Sequence, residues 1–276
     1  VTTDDTNPAV QREAVAEANF ATYAGPLVSE AIEEASALRD TADAKKLHKL
    51  RVALRRLRTL LWAYRPILDK RFDNEQRALL KFLANAAGNT RDWDILIGLV
   101  EEKSDEKLLS AIKQNRDNTA DKSRQTLMNT DLRKLLRDAI REANRELNTS
   151  SERTPLGKFA RKRVSAAQKQ LEKRMQLASK VGSSDYNSYH NVRKAGKKVR
   201  YLIEFFEPLL QKRQRKSLKE LKQLQKRFGG LNDVVASRDL LIANRGALPE
   251  GASIDAALRL LKKEQRRRLK AASKLL

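Results

Sequence analysis

His48-Lys-Leu-Arg51-Val-Ala-Leu-Arg55-Arg56-Leu-Arg58 and His190-Asn-Val-Arg193-Lys-Ala-Gly-Lys197-Lys198-Val-Arg200 lie 142 positions apart and carry one pattern. Each opens on a histidine, and these two histidines are the only ones among 276 residues. In both copies cations follow at i+3, i+7, i+8 and i+10, which chance placement in a basic chain explains poorly. Pro66 and Pro208 are also 142 apart. Leu80-Lys81-x-Leu83 with Gly88-Asn-Thr-Arg91-Asp92 returns 141 positions later as Leu221-Lys222-x-Leu224 with Gly229-Gly-Leu-Asn232-Asp233. A register that drifts by so little marks a repeated multi-helix unit, not a copied peptide.

At about 100° per residue, His48, Arg51, Arg55 and Arg58 fall in one sector of a helix, roughly 80° wide. Leu50, Leu54, Leu57 and Leu61 take the opposite side. In the second copy His190, Arg193, Lys197 and Arg200 occupy the cationic sector against Val192, Val199 and Ile203. Each helix therefore has a core face and a positive rail. Solvated helix faces normally mix signs for i,i+4 pairing, whereas Arg51, Arg55 and Arg58 have no carboxylate among them, so each neighbouring pair repels. An anion outside the helix would offset that repulsion, and arginine is suited to bidentate phosphate contacts. Arg56, Lys194, Lys198 and Tyr201 border the cationic sector. Lys81 and Lys222, at matching positions, are candidates for the same groove.

Composition agrees with an anionic partner. The chain holds 58 Lys and Arg against 35 Asp and Glu, a net charge of +23, with 40% hydrophobic residues. So large an excess costs self-repulsion in the folded state. Cysteine is absent, which removes disulfides, thiol catalysis and thiolate metal sites. Two histidines amid arginines offer no zinc site, so neither metal nor cofactor is expected. The longest apolar runs, such as Ile95–Val100, fall far short of a bilayer span. No signal peptide pattern is visible, and a cytoplasmic location is the default.

Scarce Gly and Pro and sparse strand-like alternation predict an all-α protein. Helices are expected from near Pro8 to about Leu38, from Ala42 to about Tyr64, from Asp73 to about Ala86, and onward from Arg91 or Asp92. Residues 105–147 read as helix, and 148–155 as the linker between a first half of about 9–147 and a second of about 154–276. The second half restarts at Thr154 or Pro155, runs to near Gly182, and resumes behind a cap at Ser184 or Asp185 until near Pro208. The Gly88–Asp92 and Gly229–Asp233 segments are read as helix-to-helix corners. A last helix, 254–276, is appended. Trp62 and Tyr64 are expected to pack in the core.

The duplicated His-x-x-Arg-x-x-x-cation-cation-x-Arg motif, with Gly-x-x-Arg-Asp after the first copy and Gly-x-x-Asn-Asp after the second, resembles the CHAD domain, the conserved-histidine α-helical domain, over about residues 14–275. The resemblance implies two four-helix bundles related by pseudo-twofold symmetry, with basic helices facing a central cavity. It further implies binding of inorganic polyphosphate and association with polyphosphate granules. The motif positions implied to bind are His48, Arg51, Arg55, Arg56 and Arg58, then His190, Arg193, Lys197, Lys198, Arg200 and Tyr201. A triphosphatase-type CYTH domain precedes the CHAD domain in many relatives; its Glu-x-Glu-x-Lys strand is missing here, so the binding module alone, or an excerpt of a longer protein, is expected. Gly196 departs from the pattern and suggests close helix packing.

Three functions compete. The first is a non-catalytic polyphosphate receptor, with affinity rising with chain length and falling with salt. The second is a nucleic-acid binder, against which stands the lack of aromatics interleaved with the rails. The third is a histidine-dependent phosphohydrolase, against which stands the lack of clustered carboxylates beside the rails. No catalytic residue is assigned, a membrane role is not expected, and oligomeric state is open.

Overall fold

The computed structural model describes residues 14–38, 43–181, 185–249 and 252–276. Among these residues regular structure is helical, apart from one isolated antiparallel bridge between Val15 and Pro155. The expected helix start at Pro8 and cap at Ser184 lie outside the described residues, as do Ala42 and Gly182.

In the first half, α1 spans Ala16–Ser36, α2 Ala44–Tyr64, α3 Lys70–Ala86, α4 Asn89–Val100, α5 Glu106–Met128 and α6 Leu132–Thr149. In the second, α7 spans Leu156–Val181, α8 Tyr186–Phe206, α9 Lys212–Lys216, α10 Leu218–Ala243 and α11 Ala252–Ser273. Local chemistry sets most boundaries. Asp43, Asp69, Asp105, Asp131 and Asp185 each accept a backbone N–H at the start of α2, α3, α5, α6 and α8. Pro66 and Pro208 sit in the 3-10 turns that end the two rail helices.

The two halves are joined at their starts. Ala16 N donates to Thr154 O at 2.8 Å and Leu156 N donates to Ala14 O at 2.7 Å, a reciprocal pair, while Glu17 accepts from Thr154 N. The expected linker is thus pinned against α1. Burial then repeats with an offset of 140: Ala16, Phe20, Ala24, Leu27, Ala31 and Leu38 recur as Leu156, Ala160, Val164, Ala167, Leu171 and Ala178. Apolar side chains gather in two clusters. The larger draws on α1, α2, α3, α6, α7, α8 and the first two thirds of α10, with Leu127 of α5 and Ala272 of α11; the smaller draws on α4, the start of α5, Val234 and Leu241 of α10, and the start of α11. Both clusters mix the two halves.

Two expectations are corrected. Residues 105–147 form two helices, because Asn129, Thr130 and the Asp131 cap interrupt them. Gly229–Asp233 is no corner, since α10 runs through it unbroken. Two helical glycines cost about 2 kcal/mol relative to alanine. The stripe Leu224, Phe228, Leu231 and Val235 is buried on both sides of them, and each such side chain contributes roughly 1.5–3 kcal/mol. Burial wins, and Arg268 of α11 binds the Gly230 carbonyl at 2.9 Å. At Gly88 the chain does turn. There the Arg51 guanidinium donates to the Gly88 carbonyl at 2.8 Å and occupies the space a Cβ would need. Gly196 fulfils its expectation of close packing, as a Cβ there would lie 2.8 Å from Leu224 Cδ2.

Candidate functional site

The rail helices α2 and α8 each bury the face predicted for them, Leu50, Leu54, Leu57 and Leu61 in one and Val192, Val199 and Ile203 in the other. Their cationic sides meet at a cavity of about 560 Å³ closed by α3 and α7. Arg55 and Arg58 enter it from α2, and Lys194, Lys197 and Lys198 from α8. Arg77 and Lys81 come from α3, and Arg174 from α7. The other lining residues are neutral: Thr59, Trp62, Asn74, Ala78, Gln170, Asn191, Ala195 and Tyr201. Among the described residues, eight cations therefore share one concave surface with no carboxylate on its wall.

That crowding shows in proton affinity. Burial, then the charges of Arg55, Arg193 and Arg51, pushes the Lys197 ammonium down to about 6. Lys198 is pushed down to about 8 by burial and by Arg77, Arg163, Arg174 and Arg58. Arg55 falls to about 10, again chiefly through burial. Buried like charges favour the neutral form of each, and an anion placed among them reverses the preference.

The rail residues nearest the histidines do not line this cavity. Arg51 is held at the α3–α4 corner by Gly88 and by Asp92 at 3.9 Å. Arg193 lies in the fields of Asp233, Tyr186 and Asp92 and of Arg51, and its basicity is lowered mainly by burial. His190 donates Nδ1–H to Asn232 Oδ1 at 2.8 Å, and the Tyr186 hydroxyl donates to the same oxygen at 3.1 Å. Its other ring nitrogen is left as an acceptor while the imidazole is neutral. His48, at the position equivalent to His190, lies in the field of Arg91, whose counterpart 141 positions later is Asn232. Burial, then Arg91, Arg51 and Arg55, lowers its pKa; burial likewise lowers that of His190.

Arg56 and Arg200 turn toward Tyr201, with guanidinium carbons 6.0 and 5.0 Å from its ring centre. Arg200 also lies 3.5 Å from Glu204. Lys222 is exposed on α10 and does not line the cavity. Its neighbours Leu221 and Leu224 pack inward, and Lys81 lines the cavity where Lys222 does not, so the match in sequence is not a match in placement.

Sequence reasoning missed Arg77, Arg174, Asn74, Gln170 and Asn191. Arg77 had a signal, lying one turn before Lys81 on the same helix. Wholly buried Asp73 holds it at 3.2 Å. Arg174 and Gln170 had none, because α7 carries no motif. They matter through comparison with α1: at the offset of 140, Gln170 and Arg174 correspond to Glu30 and Glu34. Glu34 pairs with Lys49 at 2.8 Å and Lys46 at 3.9 Å. At the rail offset of 142, Trp62 corresponds to Glu204. Carboxylates thus pair with Lys46, Lys49 and Arg200 on one flank, whereas on the cavity flank Asp73 pairs with Arg77 from behind the wall and leaves the lining cationic.

A model of the CHAD domain family matches residues 22–242. Among solved structures the chain is similar to the CHAD domain from the plant Ricinus communis, with 22% identity, 96% of this chain and 92% of that chain covered, and a TM-score of 0.81. It is also similar to PptA from Streptomyces chartreusis, with 17% identity, 95% and 98% covered, and a TM-score of 0.67. At these identities the likeness speaks for the fold. No curated protein matches the chain.

Proposed function

The chain belongs to the CHAD domain family, and we propose that it binds inorganic polyphosphate without chemical change, in the cavity between its two rail helices. The observation that carries this reading is a cavity of about 560 Å³ whose wall, among the described residues, holds eight cations and no carboxylate. Cations arriving from four helices suit a linear polymer with a charge on every unit better than a single compact anion. Trp62 and Tyr201 are engaged by cations and do not form the run of free aromatic faces that single-stranded nucleic acid stacks upon.

In this account Arg55, Arg58, Arg77 and Arg174 supply planar, permanently charged donors, and Lys81, Lys194, Lys197 and Lys198 supply flexible ones. His48 and His190, at the outer ends of the rails, become donors when a phosphate raises their proton affinity. The role that follows is recruitment to, or organisation of, polyphosphate granules. Calorimetric titration with polyphosphate and with single-stranded DNA of equal charge, at physiological salt, tests the reading. Polyphosphate should bind more tightly; equal affinity would return the site to a general polyanion surface. Phosphate release from long polyphosphate by the pure protein, lost on changing both histidines to glutamine, would replace the receptor with a hydrolase.

A further inference from the structure

A second cavity, of about 420 Å³, adjoins the first. It is lined by Trp62, Arg65, Pro66, Lys70, Arg163 and Gln170. Trp62 and Gln170 line both cavities and so form the partition between them. One cation on each side touches the Trp62 ring: Lys198, a lining residue of the first cavity, has Nζ 4.0 Å from the ring centre. Arg163, a lining residue of the second, has its guanidinium carbon at 4.2 Å, and also donates to the Trp62 carbonyl at 2.8 Å. Asp73, with no exposed side chain, accepts Arg77 of the first cavity at 3.2 Å and lies 3.4 Å from Arg65 of the second. One carboxylate therefore aims an arginine into each chamber. Among the described residues no carboxylate lines the second chamber, and its lining residues Arg65 and Lys70 are exposed.

Resting on the polyphosphate reading, we infer that the binding path does not end in the first cavity: a long polyphosphate chain passes Trp62 and Gln170 and leaves through Arg163, Arg65 and Lys70. The second chamber is then the subsite that favours long chains over short ones. The rail supports the geometry, because ten residues separate Arg55 from Arg65, about 15 Å along a helix axis. A chain seated on Arg55 and Arg58 thus needs to extend only a little beyond the end of α2 to reach the second group of cations.

The test uses polyphosphates of defined length, titrated into the full chain and into an Arg65→Ala, Lys70→Ala variant. Both positions are exposed, neither lines the first cavity, and Arg77 keeps its own contact with Asp73. Short chains should bind the variant within twofold of wild type. Long chains should bind it about tenfold more weakly, and the dependence of log K on log salt should flatten by about 1.4, as expected for two lost cations. Equal loss for short and long chains, or no loss for long ones, would overturn the inference. Failure of wild type to bind either length would remove the polyphosphate reading and this path with it.

Discussion

The ammonium of Lys198 lies 4.0 Å from the centre of the Trp62 indole, which also holds Arg163 at 4.2 Å. A ring that is largely buried thus does more than fill the core: it fixes the direction of two cations that would otherwise repel. Cation–π contacts of this kind are worth about 0.5–2 kcal/mol.

Trp62→Leu keeps an apolar wall and removes the contact. Polyphosphate affinity should fall about fivefold, with Trp62→Phe retaining most of it. The only other tryptophan, Trp93, packs in the smaller cluster. In a Trp93→Phe protein, fluorescence should therefore change on adding polyphosphate; an unchanged spectrum with binding intact would place the ligand away from this ring.

Proton linkage gives a second prediction. Lys197 titrates near 6 when folded and 10.5 when unfolded. Between those values the unfolded chain holds more protons, so stability of the free protein should rise with pH from about 6 to 10. Lys198 and both histidines act in the same direction. Bound phosphate restores these protons, so affinity should fall as pH rises. Thermal melts across pH 5.5–9.5, a window set by about those values, and titrations in buffers of differing ionisation heat check both signs. A melting point that drops across this range, or binding that releases protons, contradicts the account.

Gly88→Ala places a methyl 2.4 Å from the Arg51 guanidinium. The side chain swings away and its bond to the Gly88 carbonyl is lost. Because Arg51 is partly exposed, the expected cost is about 1–2 kcal/mol. Denaturant unfolding measures it, and a neutral result would show that Arg51 does not hold the α3–α4 corner.

The charge-matched flank of the rails gives a fourth. Changing Glu30, Glu34 and Glu204 to glutamine frees Lys46, Lys49 and Arg200 from their partners. The stoichiometry of short polyphosphate should rise above that of wild type. If it stays the same, carboxylates are not what limits binding to one flank.

Much of this was legible in the sequence, for physical reasons. Leu50, Leu54 and Leu57 opposite Arg51, Arg55 and Arg58 could only be a helix with two unlike faces, and the duplicated histidines set the repeat. Aspartates and prolines located helix ends to within a few residues. Gly229 and Gly230 misled because glycine permits a turn without requiring one, and the buried stripe through Phe228 and Leu231 decided otherwise. Lys222 misled because sequence equivalence carries over to placement only if the neighbouring helices are equivalent. Arg174 and Gln170 were illegible. Their importance lies in facing the rails from a helix with no motif of its own, and only the packing of α7 on α8 reveals it.

The central claim is that the paired rails form one polyphosphate site. The direct measurement is calorimetric titration of wild type and of an Arg55→Gln, Arg58→Gln, Lys194→Gln, Lys197→Gln variant with one polyphosphate of defined length at physiological salt. The account predicts saturable binding by wild type and loss of at least a hundredfold in a variant that melts no lower. Binding by the variant at wild-type strength would contradict it and assign the affinity to the diffuse positive surface.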